Sequence, residues 1–144
     1  MGKIYTALGL MSGTSGDGVD ASIIRSDGST KYEVILDKYY KYTDEIYKEY
    51  TLLKNGIKNE NDYERYSSQW ENSLLILEAK ITLFHIDLVN EIIKNSKINI
   101  DLIGLHGQTI WHKPESGSSR QLGNGKFLSK STKKNVIYDF RAND

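Results

Sequence analysis

Gly9-Leu10-Met11-Ser12-Gly13-Thr14-Ser15-Gly16-Asp17-Gly18-Val19-Asp20 is a glycine-rich loop set between two strand-like runs. Ile4 to Leu10 precedes it and Val19 to Ser26 follows it, so the chain passes from strand to strand, as a hairpin does. The glycine loops of P-loop and dinucleotide sites run from a strand into a helix instead, and this loop is neither. Glycines at 13, 16 and 18 let backbone N–H groups approach whatever the loop wraps, with no Cβ in the way. Thr14 and Ser15 add hydroxyl donors. A concave array of such donors suits phosphate oxygens. A glycine-rich hairpin taken alone is more often a plain turn, so its meaning depends on its company.

Working outward, Tyr32 to Tyr40 reads as a third strand, reached through the turn Asp27-Gly28-Ser29. A short helix is predicted over Thr43 to Leu53, capped by Thr43 or Asp44 and stopped at Asn55-Gly56. Tyr63, Tyr66, Trp70, Leu74, Leu77, Ile81, Phe84, Leu88 and Ile92 then recur at steps of three and four, one face of a long helix from Asn61 to Asn95. Unbroken, it would run about 50 Å. Leu75, Ile76, Leu83 and Ile86 widen the apolar face beyond a heptad seam, so a core helix packed on more than one side is expected. Asp101 to His106 reads as a buried strand ending at Gly107, and Thr109 to Trp111 as a returning hairpin arm. Glu115 to Ser119 is a surface loop, Phe127 to Ser131 a helical turn or two, and Val136 to Phe140 a last strand. The class is α/β.

Composition excludes several functions. Nineteen basic and nineteen acidic side chains cancel, which argues against a nucleic-acid or anionic-membrane binder. The absence of cysteine removes disulfides and thiolate metal sites and fits a cytoplasmic protein. No secretory signal is visible, and no stretch approaches the length needed to cross a bilayer. The ten tyrosines suggest no function by themselves.

Met11-Ser12-Gly13-Thr14-Ser15-Gly16-Asp17-Gly18-Val19-Asp20-Ala21 resembles the signature of the anhydro-N-acetylmuramic acid kinases, a family of the actin, sugar-kinase and Hsp70 superfamily. Two further segments match the same family in the same order. One is Asp101 to Pro114, with Gly104-Leu105-His106-Gly107-Gln108-Thr109 at its centre. The other is Gln121-Leu122-Gly123-Asn124-Gly125, followed by Val136-Ile137-Tyr138-Asp139-Phe140-Arg141 and Asp144. The resemblance implies an actin-like ATPase (ribonuclease H-like) domain. Its mixed sheet would open with an antiparallel three-stranded meander and carry flanking helices, one of them long. Members of that family are much longer than this chain, so residues 1–144 would be the N-terminal domain of a two-domain kinase, with the C-terminal kinase domain missing.

The same resemblance implies the chemistry. ATP with magnesium would bind between two domains, with Gly13, Thr14, Ser15, Gly16, Asp17, Gly18, Val19 and Asp20 forming the first phosphate hairpin. Met11 stands where many superfamily members carry an aspartate, which leaves Asp17 or Asp20 to face the magnesium; oxygen ligands suit that ion. Asp17 could equally be a turn residue bonding its own backbone. His106, Gln108, Thr109 and Arg141 are the candidate contacts to the sugar, anhydro-N-acetylmuramic acid. Gln108 offers both a donor and an acceptor, and Arg141 offers a planar fork for a carboxylate, with a salt bridge as its competing role. Trp111 could stack on a sugar or sit in the core. His106 and His112 are too sparse for a metal site.

In the implied reaction a carboxylate base activates water to attack the anomeric carbon, the bond to the 6-oxygen breaks, and that oxygen takes the γ-phosphoryl group. The base is expected beyond Asp144, so the isolated chain should be inactive. A homodimer of the full-length protein is a further implication. The family commonly has aspartate where Asn124 stands; if its charge matters this chain is weakened there, and if it shapes a turn little is lost. The alternatives are a non-catalytic nucleotide- or sugar-binding module and one subunit of a split kinase.

Overall fold

The computed structural model describes residues 3–13, 15–28, 31–57, 67–113 and 118–138. Strands β1 (Tyr5–Met11), β2 (Gly18–Ser26) and β3 (Tyr32–Lys41) form the expected meander, and helix α1 (Asp44–Gly56) follows. The long helix α2 (Ser67–Ser96) leads to β4 (Leu102–Leu105), β5 (Gln108–Lys113) and β6 (Ser118–Leu122). A short helix α3 (Gly125–Thr132) and strand β7 (Asn135–Ile137) complete the described chain. Residues 61–66 and 139–140, assigned above to the ends of a helix and a strand, lie outside the described residues.

The main sheet has five strands in the order β3-β2-β1-β4-β7. The first three are antiparallel, while β4 pairs parallel to β1 and β7 parallel to β4. It is a mixed sheet with helices, compatible with an actin-like fold. Alternation along the strands sends Leu8, Leu10, Val19, Ala21, Ile23, Ile103 and Leu105 into the core, because successive side chains point to opposite faces. Leu74, Leu77, Ile81, Leu88, Val89 and Ile92 of α2 are buried with them.

The wide apolar face of α2 is only partly used. Ile86 is buried, but Leu75, Ile76 and Leu83 are exposed. Among the described residues α2 packs against α1, α3 and β6, which leaves those three side chains uncovered. Ser118 and Ser119, expected in a loop, instead belong to β6, which pairs antiparallel with β5 as a separate two-stranded sheet.

Local signals fix the helix ends. Thr43 caps α1, its side chain accepting from the Ile46 N–H at 3.2 Å. Asn124 caps α3 in the same way, accepting from the Phe127 N–H at 3.0 Å, while its own N–H donates to Thr82 Oγ1 at 2.9 Å. The side chain at 124 thus does a cap's work, which asparagine and aspartate both perform. Asn124→Ala is expected to cost about 1 kcal/mol in urea denaturation, and Asn124→Asp to match or slightly exceed the native chain.

Candidate functional site

The carboxyl ends of the parallel strands share one edge of the sheet, where ligands collect in α/β folds. Met11 at the end of β1 pairs with Asp20, Gly18 pairs with Lys41 at the end of β3, and Leu10 pairs with Leu105 at the end of β4. The His106 N–H donates to the Leu10 carbonyl at 3.1 Å. The glycine-rich loop, the start of α1 and the His106-Gly107-Gln108 segment are therefore neighbours, although nearly a hundred residues separate the first from the last.

Several bonds hold the loop. The Tyr42 N–H donates to the Asp17 carbonyl at 2.8 Å, and the Gly16 N–H to the Gly13 carbonyl at 3.2 Å. Gln108 Nε2 donates to that same Gly13 carbonyl at 2.8 Å. Tyr42 Oη lies 3.2 Å from both Ser12 Oγ and Gln108 Oε1, to the second of which it donates. Tyr50 Oη donates to the Thr109 carbonyl at 2.8 Å, and its ring fills the space beneath Gly16. Burial holds the Tyr42 phenol far above its ordinary value, at about 12, and raises Tyr50 as well. Both are neutral hydrogen-bonding groups at any physiological pH.

The three glycines have different reasons. Gly16 has φ +71°, and a Cβ there would overlap the Tyr50 ring. A Cβ on Gly18 would overlap the Tyr40 carbonyl and come within 2.8 Å of Tyr39 Oη. Internal packing accounts for both. Gly13 is different: a Cβ there meets nothing closer than Ser15 Oγ at 3.8 Å among the described residues, so packing gives no reason for a glycine.

Asp17 and Asp20 are exposed at the rim. Asp20 pairs with Tyr39 across β2 and β3, and burial first, then the charges of Asp17 and Asp20, raise the Tyr39 phenol above its ordinary value. Asp17, Tyr39, Lys41, Tyr42, Asp44 and Tyr47 line a cleft of about 490 Å³ there. Exposed carboxylates match the hard oxygen ligands that magnesium takes. Ser15 is also exposed, whereas Val19 turns its side chain wholly into the core. Only its backbone borders the loop, because strand alternation puts Asp20 outward and Val19 inward.

His106 is half-buried at the same edge, with Nδ1 3.0 Å from the Gly107 carbonyl. A carbonyl only accepts, so Nδ1 donates. Gln108 is fully buried with both ends of its amide engaged as described, and Thr109 is buried with Oγ1 accepting from Gln121 Nε2 at 3.3 Å. Trp111 lies in the core. Thr14, Arg141 and the side chain of His112 lie outside the described residues, and no cluster of three or more potential metal-binding side chains exists among the described ones.

Sequence reading missed Ser12, Tyr42 and Tyr50. Their signal was faint: Tyr42 adjoins the Thr43 cap and Tyr50 falls on the Ile46–Leu53 face of α1, which spacing alone reports as core.

A family model described as anhydro-N-acetylmuramic acid kinase matches residues 5–144. A protein of that name from Pelagibacter ubique (strain HTCC1062) is 51% identical over 144 residues, covering 100% of this chain and 37% of its own length. The protein of the same name from Agrobacterium fabrum is 35% identical over 150 residues, with 100% of this chain and 38% of the relative covered. The one from Zymomonas mobilis is 34% identical over 142 residues, covering 96% and 38%. The chain spans somewhat more than a third of the length of these curated relatives.

Proposed function

Because this chain belongs to the anhydro-N-acetylmuramic acid kinase family, we propose that it is the N-terminal domain of a two-domain sugar kinase and grips the phosphates of ATP through residues 13–20. The complete enzyme hydrolyses the 1,6-anhydro ring of anhydro-N-acetylmuramic acid and phosphorylates the 6-oxygen. The observation that carries the reading is Gly13, a glycine for which packing among the described residues gives no reason, set at the ligand-collecting edge of the sheet. Its missing Cβ serves a group approaching from outside. Asp17 and Asp20 hold magnesium, which when bound neutralises charge on the phosphates. His106 and Thr109 border the sugar, with Arg141 recognising its carboxylate. The work of this chain is positioning and charge stabilisation. No helix among the described residues is long and apolar enough to cross a membrane.

Calorimetric titration of MgATP into the native chain, Gly13→Ala and the Asp17→Asn/Asp20→Asn double variant tests this. Gly13→Ala should keep native stability within about 0.5 kcal/mol. Its affinity for MgATP should fall about tenfold, since a Cβ stands where the phosphates approach. Chelating magnesium should weaken binding by the native chain and leave the double variant unaffected. Native affinity in Gly13→Ala, or no binding by the native chain, overturns the reading.

A further inference from the structure

Gln108 is fully buried, both ends of its amide are engaged, and the Tyr50 hydroxyl also lies against it. Its Oε1 accepts from Tyr42 Oη at 3.2 Å, and its Nε2 donates to the Gly13 carbonyl at 2.8 Å. Gln108 opens β5, in the two-stranded sheet, whereas Gly13 lies just past the end of β1 in the main sheet. Gln108 is therefore the side chain that ties the second sequence motif to the first. Ser12 Oγ, 3.2 Å from Tyr42 Oη, closes the chain of polar groups back onto the loop. Buried polar groups joined in this way hold a unique geometry, and removing one member leaves the others unpaired at a cost.

We propose that Gln108 is the positioning residue of the glycine-rich loop: it draws the Gly13 carbonyl inward and so holds the loop in the shape that a phosphate-bearing ligand meets. The Gly16 N–H, on the same carbonyl at 3.2 Å, closes the turn around that anchor. The inference rests on the nucleotide reading for its ligand but not for its geometry. It also gives the Gly-Gln-Thr segment a task at the phosphate end of the site, acting through Gly13 without touching the ligand.

The test uses the whole chain and three forms of residue 108. Gln108→Met keeps the length and apolar bulk but has no hydrogen bonds to offer. Gln108→Glu is a switch: the protonated acid carries one donor and one acceptor as the amide does, whereas the carboxylate only accepts. Burial raises the pKa of such a carboxyl, so raising the pH takes one molecule from the first state to the second. The titratable groups facing residue 108 are the hydroxyls of Tyr42 and Tyr50, which stay protonated throughout. His106 beside β5, with Asp17, Asp20, Lys41 and Asp44 along the rim, is common to all three forms, so native and Gln108→Met chains measured over the same range subtract their contribution.

Two quantities are read: hydrogen exchange of the Gly16 amide relative to core amides of β1 and β4, and affinity for MgATP. Gln108→Met should speed Gly16 exchange and weaken MgATP about tenfold at every pH, with core exchange little changed. Gln108→Glu should behave as native at the acid end and as Gln108→Met at the alkaline end. A folded Gln108→Met with native loop exchange and affinity overturns the proposal, as does a loop that loosens only in step with the core. If Gln108→Met does not fold, the acid and alkaline ends of Gln108→Glu decide, and no difference beyond the native pH dependence overturns it. If the native chain binds no MgATP, the nucleotide reading fails, while Gly16 exchange still confirms or refutes the clamp.

Discussion

Gly16→Ala is expected to be the most damaging single change in the loop, lowering stability by about 2–5 kcal/mol. Two costs combine. At φ +71° a residue with a Cβ occupies a left-handed conformation, which costs about 1–2 kcal/mol. The new Cβ would also overlap the Tyr50 ring, and that ring cannot yield cheaply. It is 1% exposed, packs in the main core, and its hydroxyl donates to the Thr109 carbonyl. Displacing it would carry the start of β5 along, and with it Gln108. Urea denaturation of Gly16→Ala, Tyr50→Leu and the double variant separates the two costs. The double variant should lose less than the sum of the singles, because a smaller side chain at 50 leaves room for the methyl. A Gly16→Ala chain within about 0.5 kcal/mol of native would mean that the ring does not lie beneath the loop. Gly13→Ala, expected to weaken the ligand and spare the fold, is its natural companion.

Acid should destabilise this chain through His85, by about 3 kcal/mol. The side chain is 1% exposed in the middle of α2. Its Nδ1 lies 2.8 Å from the Ile81 carbonyl one turn back, so Nδ1 carries the proton of the neutral ring. Nε2 is buried with no partner among the described residues. Burial pushes the imidazole down to about 4, with the bond to Ile81 opposing in part. Above about pH 6.5 the ring is neutral in folded and unfolded chains alike, and the contribution is fully present. As the pH falls from there, the unfolded chain takes up a proton that the folded one refuses. Stability therefore drops until the pH reaches about 4, where the folded ring is protonated too. Denaturation at a series of pH values, compared between the native chain and His85→Leu, isolates this share from that of the carboxylates. The native curve should fall more steeply between about pH 6.5 and about pH 4, and parallel curves would refute the assignment.

The order of the elements was legible because it is written in local patterns. The meander, the Thr43 cap and the long helix follow from alternation, a hydroxyl before an acidic turn, and apolar residues at steps of three and four. Motif wording carried the family, through the glycine loop, the His106-Gly107-Gln108-Thr109 segment and the Gln121–Gly125 run. The pattern overreached on α2. Leu75, Ile76 and Leu83 are apolar and yet exposed, since periodicity reports which residues could be buried and not what lies opposite them. It also let all three loop glycines look alike, when Gly16 and Gly18 answer to Tyr50, Tyr39 and β3 and only Gly13 faces outward.

The class of fold, the family, and the stretch on which a phosphate would be sought are readable in the residues alone, because each depends on residues close together along the chain. What those residues touch emerges only on folding. Folding turned Gln108 inward beneath the loop, made Asn124 a helix cap, and gathered Ser12, Tyr42 and Tyr50 around a segment that none of them signals. The reason is distance along the chain: Gln108 meets Gly13 across 95 residues, and only the parallel pairing of β1 with β4 brings the two ends together.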